Sequence, residues 1–122
     1  MGHVKRWITC VDIDDIDEFA YCGTRSGDFL EISLTKGIYS RSGPINKKLQ
    51  GAVNHIITKG KNIYIGTNQG LFAKVDKSSL NLLGEVNLPH NSICGLAQSE
   101  SKIYNYTDRG TIRSVQDKES PQ

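Results

Sequence analysis

One short pattern occurs three times in this 122-residue chain and constrains its fold more than any other feature. Each copy has a Tyr, a Thr three residues later and a Gly three residues after the Thr. The copies lie at residues 20–32, 63–75 and 103–115, and apolar positions continue in step after each Gly. Such self-similarity indicates three related structural units. Because the Tyr recurs in register, we expect it to pack between neighbouring units.

The period and the composition of the pattern indicate strands. Thr24 and Thr67 are 43 residues apart, and Thr67 and Thr107 are 40 residues apart. Periods of ~40–45 residues are typical of four-stranded propeller blades, whereas ankyrin and tetratricopeptide repeats are shorter and helical. In each copy an aromatic and β-branched run meets a Thr-x-x-Gly turn, where Gly adopts positive φ easily, and alternation then resumes. The sequence therefore predicts an all-β fold of propeller blades.

The predicted repeats cover most of the chain. An apolar run of matching phase precedes each hairpin, which predicts an inner strand before it. We expect repeats at about 8–41, 53–86 and 93–115 of one partial propeller domain spanning 1–122, followed by a polar tail at 116–122. The third repeat has no apolar outer strand. Because propellers close with four to eight blades, we expect either part of a larger propeller or a propeller completed by oligomerisation.

Composition argues against several classes of partner. The net charge of +2 comes from 15 basic and 13 acidic residues that are mixed along the chain, unlike the basic surface of a nucleic-acid binder. No apolar run approaches the roughly 20 residues of a membrane helix. The three cysteines are odd in number and no signal peptide precedes them, which favours reduced thiols in a cytoplasmic protein.

An acidic turn after the first inner strand contains Asp14, Asp15 and Asp17. An EF-hand loop starting at Asp12 would need Gly at its sixth position and Glu at its twelfth, where this chain has Asp17 and Gly23. The calcium motif therefore fails. We interpret the turn as a solvated connection or as a contact patch for a basic partner surface.

Other site motifs are missing as well. The three His and three Cys residues show neither Cys-x-x-Cys nor His-x-x-x-His spacing, so no metal site is indicated. The glycine pairs at 23–27 and 66–70 lead into strands, whereas a phosphate-binding loop needs a helix N-terminus. The sequence predicts no catalytic, metal-binding or cofactor-binding residues.

Arg25, Asn68 and Asp108 occupy one equivalent turn position in the three repeats. We expect them to line one rim of the assembly. Loops on a rigid scaffold commonly carry recognition. Since the three side chains differ, they predict a varied surface for binding proteins rather than a symmetric ligand site.

The segment from Lys5 to Asp28 resembles a blade of the cilia- and flagella-associated WD-repeat proteins, the family also called WD-repeat protein sixteen. The resemblance rests on the strand Ile8-Thr9-Cys10, the acidic turn, and the hairpin Tyr21-Cys22-Gly23-Thr24-Arg25-Ser26-Gly27-Asp28. Members of that family have two tandem propellers and act without catalysis inside the doublet microtubules of motile cilia. The resemblance implies a scaffold of the axoneme that binds tubulin or neighbouring microtubule proteins.

The chain departs from typical WD repeats in the position five residues after the turn Gly. Ile32, Val75 and Val115 stand there instead of Trp, so the usual network of Asp, His, Ser/Thr and Trp cannot form. Two alternatives therefore stay open. One is a WD-type adaptor unrelated to cilia, and the other is a propeller that binds a ligand or catalyses a reaction in its central channel.

Overall fold

The computed structural model describes residues 7–14, 16, 18–46, 48–87, 92–110 and 112–116, without the side chains of Cys94, Val115 and Gln116. Three sequence predictions concern residues outside these ranges. They are the contact residues Asp15 and Asp17 and the polar tail after residue 116.

Every regular element of the described residues is a β-strand. Blade 1 comprises β1 (Ile8–Asp14), β2 (Phe19–Thr24), β3 (Phe29–Ser33) and β4 (Ile38–Gly43). Blade 2 comprises β5 (Val53–Lys59), β6 (Asn62–Thr67), β7 (Leu71–Asp76) and β8 (Leu82–Asn87). Blade 3 comprises β9 (Ile93–Gln98), β10 (Lys102–Thr107) and β11 (Ile112–Gln116).

Each blade is one antiparallel sheet whose strands follow in chain order. The predicted all-β blades are therefore confirmed, and blade 3 has three strands within the described residues. None of the described segments forms a helix with the length and apolar character needed to cross a membrane.

The Thr-x-x-Gly turns have the predicted geometry. Gly27, Gly70 and Gly110 have φ angles of 91°, 87° and 82°. Each of these glycines donates its backbone N–H to the carbonyl of the Thr three residues earlier. In the second turn the Thr67 hydroxyl also accepts the N–H of Leu71 at 3.1 Å. A local side-chain hydrogen bond and a positive φ that suits Gly thus shape each turn.

The blades stack face to face, and each has a leading face toward the preceding blade and a trailing face toward the following one. Tyr21 and Phe29 on the trailing face of blade 1 belong to one buried cluster with Ile63 of blade 2. Tyr64 on the trailing face of blade 2 lies in a second cluster with Ile103 of blade 3. The predicted packing of the repeated Tyr between blades is confirmed for these two.

Two glycines of the middle strands allow the blades to approach closely. A Cβ atom on Gly23 of β2 would lie 2.5 Å from Cγ1 of Val53, and one on Gly66 of β6 would lie 2.4 Å from Cγ2 of Ile93. Val53 and Ile93 are the first residues of β5 and β9, and both are fully buried. The first side chains of β5 and β9 therefore fill the space that the Gly of the preceding blade leaves beside its middle strand.

The two ends of the stack leave apolar faces uncovered. The middle strand β6 of blade 2 is buried along its whole length. By contrast, Val11, Ile13 and Tyr39 on the leading face of blade 1 are more than half exposed. Tyr106 and Ile112 on the trailing face of blade 3 are 47% and 66% exposed. Both terminal blades thus present apolar side chains of the kind that are buried between blades.

Replacing Gly66 with Ala tests the close approach of the blades. The added methyl group would collide with Ile93, and overpacking of this kind typically costs about 1–3 kcal/mol. We expect urea denaturation to give a free energy of unfolding lower by that amount. Gly84→Ala in β8 is the matched control, because no atom of the described part of the chain lies within 4 Å of its added Cβ. Equal effects of the two substitutions would contradict this account of the interface.

Candidate functional site

The predicted contact residues lie at two opposite ends of the blades. Successive strands run antiparallel, so the turns at 25–28, 68–70 and 108–110 share one end, here called the Thr-Gly rim. Arg25, Asn68 and Asp108 lie on this rim. Asp14 ends β1 and lies at the other end, the opposite rim.

The three equivalent rim residues hold the start of the inner strands. Their backbone N–H groups donate to the carbonyl of the residue just before each inner strand, at 3.0, 2.9 and 3.0 Å. The pairs are Arg25 with Trp7, Asn68 with Ala52, and Asp108 with Ser92. A second hydrogen bond links two of these pairs, because the side chains of Asn68 and Asp108 accept the N–H of Ala52 at 2.8 Å and of Ser92 at 3.0 Å.

Asn68 and Asp108 therefore have a structural role that the sequence analysis missed. Each closes a ring of two hydrogen bonds between a turn and the segment that leads into the inner strand of the same blade. Asn and Asp favour such bonds because their short side chains reach nearby backbone groups. An Asn or Asp at a turn position can indicate such a bond. The sequence does not identify the partner, because Ala52 and Ser92 lie 16 residues earlier in the chain.

Arg25 differs from these two because its side chain is directed at an aromatic ring. Its guanidinium carbon lies 4.9 Å from the ring centroid of Trp7, which is a cation–π contact. The Trp7 side chain is 63% exposed, and the neighbouring Ile8 is 51% exposed. Trp and Arg are enriched among the residues that dominate protein–protein binding energy. The sequence analysis missed Trp7, although it is the single Trp of the chain.

Asp14 is engaged within the protein. Its side chain is 5% exposed and its carboxylate accepts the ammonium of Lys77 at 2.6 Å and the N–H of Ile16 at 3.2 Å. Lys77 follows β7, so this ion pair joins blade 1 to blade 2. The carboxylate thus faces a neighbouring blade, whereas the sequence predicted a solvated turn or a contact patch for a basic partner surface.

A second charged group lies near Asp14 in a cavity of about 480 Å³ between blades 1 and 2. Glu31 is 1% exposed, and its two oxygens accept Nε and Nη2 of Arg41, both at 2.8 Å. The hydroxyl of Tyr21 donates to the same carboxylate at 2.8 Å. Arg41 also donates to the carbonyls of Lys77 and Ser78, at 3.0 and 2.6 Å. The outer strand of blade 1 is thereby tied to the β7–β8 turn of blade 2.

The ionisation of this cluster follows from its contacts. Burial alone would raise the pKa of Glu31, but hydrogen bonds from Arg41, Tyr21 and Ser40 outweigh it and lower that pKa. Burial and the Glu31 carboxylate raise the pKa of Tyr21. The hydrogen bond to Glu31 raises the pKa of Arg41. At neutral pH the cluster is therefore a carboxylate between a guanidinium and a neutral phenol.

This arrangement suits a structural clamp better than a reactive site. The carboxylate and the guanidinium bind each other, so proton transfer to a substrate would first have to break their contacts. The thiols of Cys10 and Cys22 have pKa values raised by burial, which keeps them protonated and poorly nucleophilic. Within the described ranges, no group of three His, Cys, Asp or Glu side chains has the proximity of metal ligands.

Glu31→Gln tests the clamp. At pH 7 the substitution removes the countercharge of Arg41. Because the Arg41 side chain is 38% exposed and water can solvate it, the cost is below the value for a fully buried pair, and we expect about 1–3 kcal/mol. The folded-state pKa of Glu31 is depressed, so its stabilisation is present above the unfolded-chain pKa near 4.3 and is lost as pH falls through the lower folded value. We expect the difference in unfolding free energy between wild type and variant to shrink below about pH 4. The exposed Glu100→Gln is the control, and a pH-independent difference would contradict the clamp.

Asn68→Ala separates a structural role of the rim from a binding role. Loss of the amide leaves the N–H of Ala52 without this acceptor, and we expect a decrease in unfolding free energy of about 1–2 kcal/mol. Thermal unfolding monitored by circular dichroism measures the effect. Asn81→Ala, in an exposed turn of blade 2, is the matched control and should change stability by less than about 0.5 kcal/mol. Unchanged stability of Asn68→Ala would show that its hydrogen bond does not hold the strand entry.

The chain is similar to known proteins in a short stretch of sequence and in its fold. No protein-family model matches the chain. A stretch of 53 residues is 40% identical to Cilia- and flagella-associated protein 52 of Chlamydomonas reinhardtii, and it covers 43% of this chain and 9% of that relative. The chain thus matches a small part of its curated relative.

Solved structures share the fold at low sequence identity. The RRP9 WD40 repeats match with a TM-score of 0.83 and 15% identity, over 96% of this chain and 37% of that one. A chain of the Mitotic Checkpoint Complex matches with a TM-score of 0.82 and 13% identity, over 94% and 35%. The β-propeller domain of Cps50 (Swd1) from Myceliophteria thermophila matches with a TM-score of 0.78 and 12% identity, over 96% and 36%. The chain therefore has the fold of three β-propeller blades, as found in these WD40 structures, and spans about a third of the propeller chains it resembles.

Proposed function

We propose that these blades form a non-catalytic scaffold for binding other proteins. The observation that carries the proposal is the exposed pair of Trp7 and Arg25 on the Thr-Gly rim. An exposed Trp beside Arg and the half-exposed Ile8 has the composition of a binding hot spot on a rigid sheet edge. A scaffold role also fits the cavity between blades 1 and 2, whose charged side chains bind each other.

The more specific proposal is a structural component of the ciliary or flagellar axoneme, in the cytoplasmic compartment of the cell. It is supported by the 40% identity over 53 residues to Cilia- and flagella-associated protein 52. The proposed partners are tubulin or neighbouring microtubule proteins. Arg25, Asn68 and Asp108 belong to the proposed contact rim, with Arg25 as the leading candidate because its side chain lies beside Trp7.

The acidic turn predicted from the sequence is a further part of the proposal. Asp14 already neutralises Lys77, and Asp15 and Asp17 remain candidates for contact with a basic partner surface on the basis of the sequence alone. A WD-type adaptor that acts outside cilia is the alternative that shares the same rim. The two differ in their partner, so direct binding to microtubules distinguishes them.

Co-sedimentation with microtubules polymerised from purified tubulin tests the axonemal proposal. We expect the wild-type chain to sediment with microtubules. Trp7→Ala and Arg25→Ala should each weaken binding by about 30-fold or more, the effect of losing a hot spot of at least ~2 kcal/mol. Leu83→Ala is the matched control, because this apolar side chain is 54% exposed on the outer strand β8 of blade 2 and belongs neither to the Thr-Gly rim nor to the acidic turn. Its binding should equal that of wild type.

The outcomes separate the proposals. A wild-type chain that does not sediment with microtubules would contradict direct tubulin binding and favour another axonemal partner or an adaptor. An equal loss in Leu83→Ala would contradict the assignment to the Thr-Gly rim. Thermal unfolding of each variant shows whether a loss comes from misfolding, and the exposure of Trp7 predicts that its truncation removes little packing.

A further inference from the structure

The trailing face of blade 3 differs from the two internal trailing faces at one position. The middle strands of blades 1 and 2 carry Gly23 and Gly66 two residues after the repeated Tyr. Blade 3 has Tyr106 at this position. The register is equivalent, since Gly23 pairs with Phe29, Gly66 with Phe72 and Tyr106 with Ile112.

This change closes the site that receives the next blade. Val53 and Ile93 fill the space beside Gly23 and Gly66 so closely that even a Cβ atom there would lie at 2.5 or 2.4 Å. Real Cβ atoms do not approach other atoms to such distances. Tyr106 therefore prevents a following blade that begins with a β-branched residue from packing on blade 3 in the way blades 2 and 3 pack on their predecessors.

The rest of the face keeps the features of a blade interface. Ala97, Tyr104 and Ile112 are equivalent to Ile57, Tyr64 and Phe72, the residues that Ile103 covers in the second interface. They line an apolar groove of about 400 Å³ together with Gly95 and Tyr106. Among the residues that the structure describes, no atom lies within 4 Å of a Cβ placed on Gly95. Thus the groove has open space beside the Tyr106 ring on the inner strand.

A second copy of this chain does not fit the groove. The first residue of β1 is Ile8, which is equivalent to Val53 and Ile93 and is 51% exposed. If blade 1 of one copy packed on blade 3 of another, Ile8 would meet Tyr106 rather than Gly. This conflict opposes head-to-tail association of identical copies, although both terminal faces are apolar.

We propose that the trailing face of blade 3 docks a propeller blade whose inner strand begins with a small residue such as Gly, Ala or Ser, and that Tyr106 excludes a second copy of this chain. The occupant is a blade because Tyr104 keeps the position that an Ile of the following blade covers in both internal interfaces. The small residue is required because the Cβ atom of Tyr106 stands where a Cβ atom on Gly23 or Gly66 would collide with Val53 or Ile93. Steric exclusion of this kind is a common source of binding specificity.

The chain itself provides the probe for this proposal. Ile8→Gly gives blade 1 a small first residue, so one copy should dock on the Tyr106 face of another. Tyr106→Gly restores the missing Gly, so Ile8 should then fit. Light scattering over a concentration series should show wild type as a monomer. Relief of an overpacked contact worth about 1–3 kcal/mol predicts about 5- to 150-fold tighter self-association of each variant.

Two controls identify the interface. Ile8→Val keeps a β-branched residue, as at Val53, and should remain monomeric like wild type. Tyr104→Arg added to Ile8→Gly places a charge in the groove and should abolish association. The double variant Ile8→Gly/Tyr106→Gly leaves a cavity and should associate more weakly than either single variant, the signature of complementary sizes.

Either part of the proposal can be overturned. Wild type that associates as tightly as Ile8→Gly would show that Tyr106 does not exclude a second copy. Two single variants that stay monomeric, while circular dichroism shows them folded, would show that the face does not dock a blade. Association of Ile8→Gly that survives Tyr104→Arg would place the contact elsewhere.

Discussion

The close contact between a β-branched side chain and a glycine of the neighbouring sheet is the constraint on which the stack of blades depends. Val53 meets Gly23 and Ile93 meets Gly66, and the repeated Tyr packs beside each contact. Full burial of one such apolar side chain contributes about 1.5–3 kcal/mol. Because the contact tolerates no additional atom, it fixes both the spacing and the register of the sheets, and it makes a single large residue at Tyr106 sufficient to change what the last face accepts.

Polar groups complement this packing at the edges of the first interface. Asp12 accepts the N–H of Thr58 at 2.8 Å, Asp14 binds Lys77, and Glu31 binds Arg41. Buried ion pairs contribute less to stability than their geometry implies, because desolvation offsets the attraction. Their consequence here is geometric. Asp12 and Asp14 join blade 1 directly to blade 2, whereas Glu31 orients Arg41 within blade 1 so that its guanidinium donates to the carbonyls of Lys77 and Ser78 of blade 2. A rigid pair of sheets then presents Trp7 and Arg25 at a fixed place on the Thr-Gly rim.

Much of the fold followed from local sequence signals. The Thr-x-x-Gly turns depend on a positive φ at Gly and on hydrogen bonds within a few residues, so Gly27, Gly70 and Gly110 were predicted correctly. Alternation placed Tyr21 and Tyr64 on buried faces. The roles of Asn68 and Asp14 were not predicted, because they depend on residues that are distant in the sequence. Their partners Ala52 and Lys77 lie 16 and 63 residues away, and no local pattern marks such pairs.

The strands, the turns and the division into three blades could be predicted from the amino-acid sequence, because these depend on periodicity and on the conformational preferences of single residues. Which faces are covered and which side chains are engaged depends on how the sheets pack. Gly23, Gly66 and Tyr106 can be aligned in the sequence, but only the packed sheets show that Val53 and Ile93 fill the space beside the two glycines. A contact between two sheets involves side chains that are distant in the sequence, so no single segment reveals it.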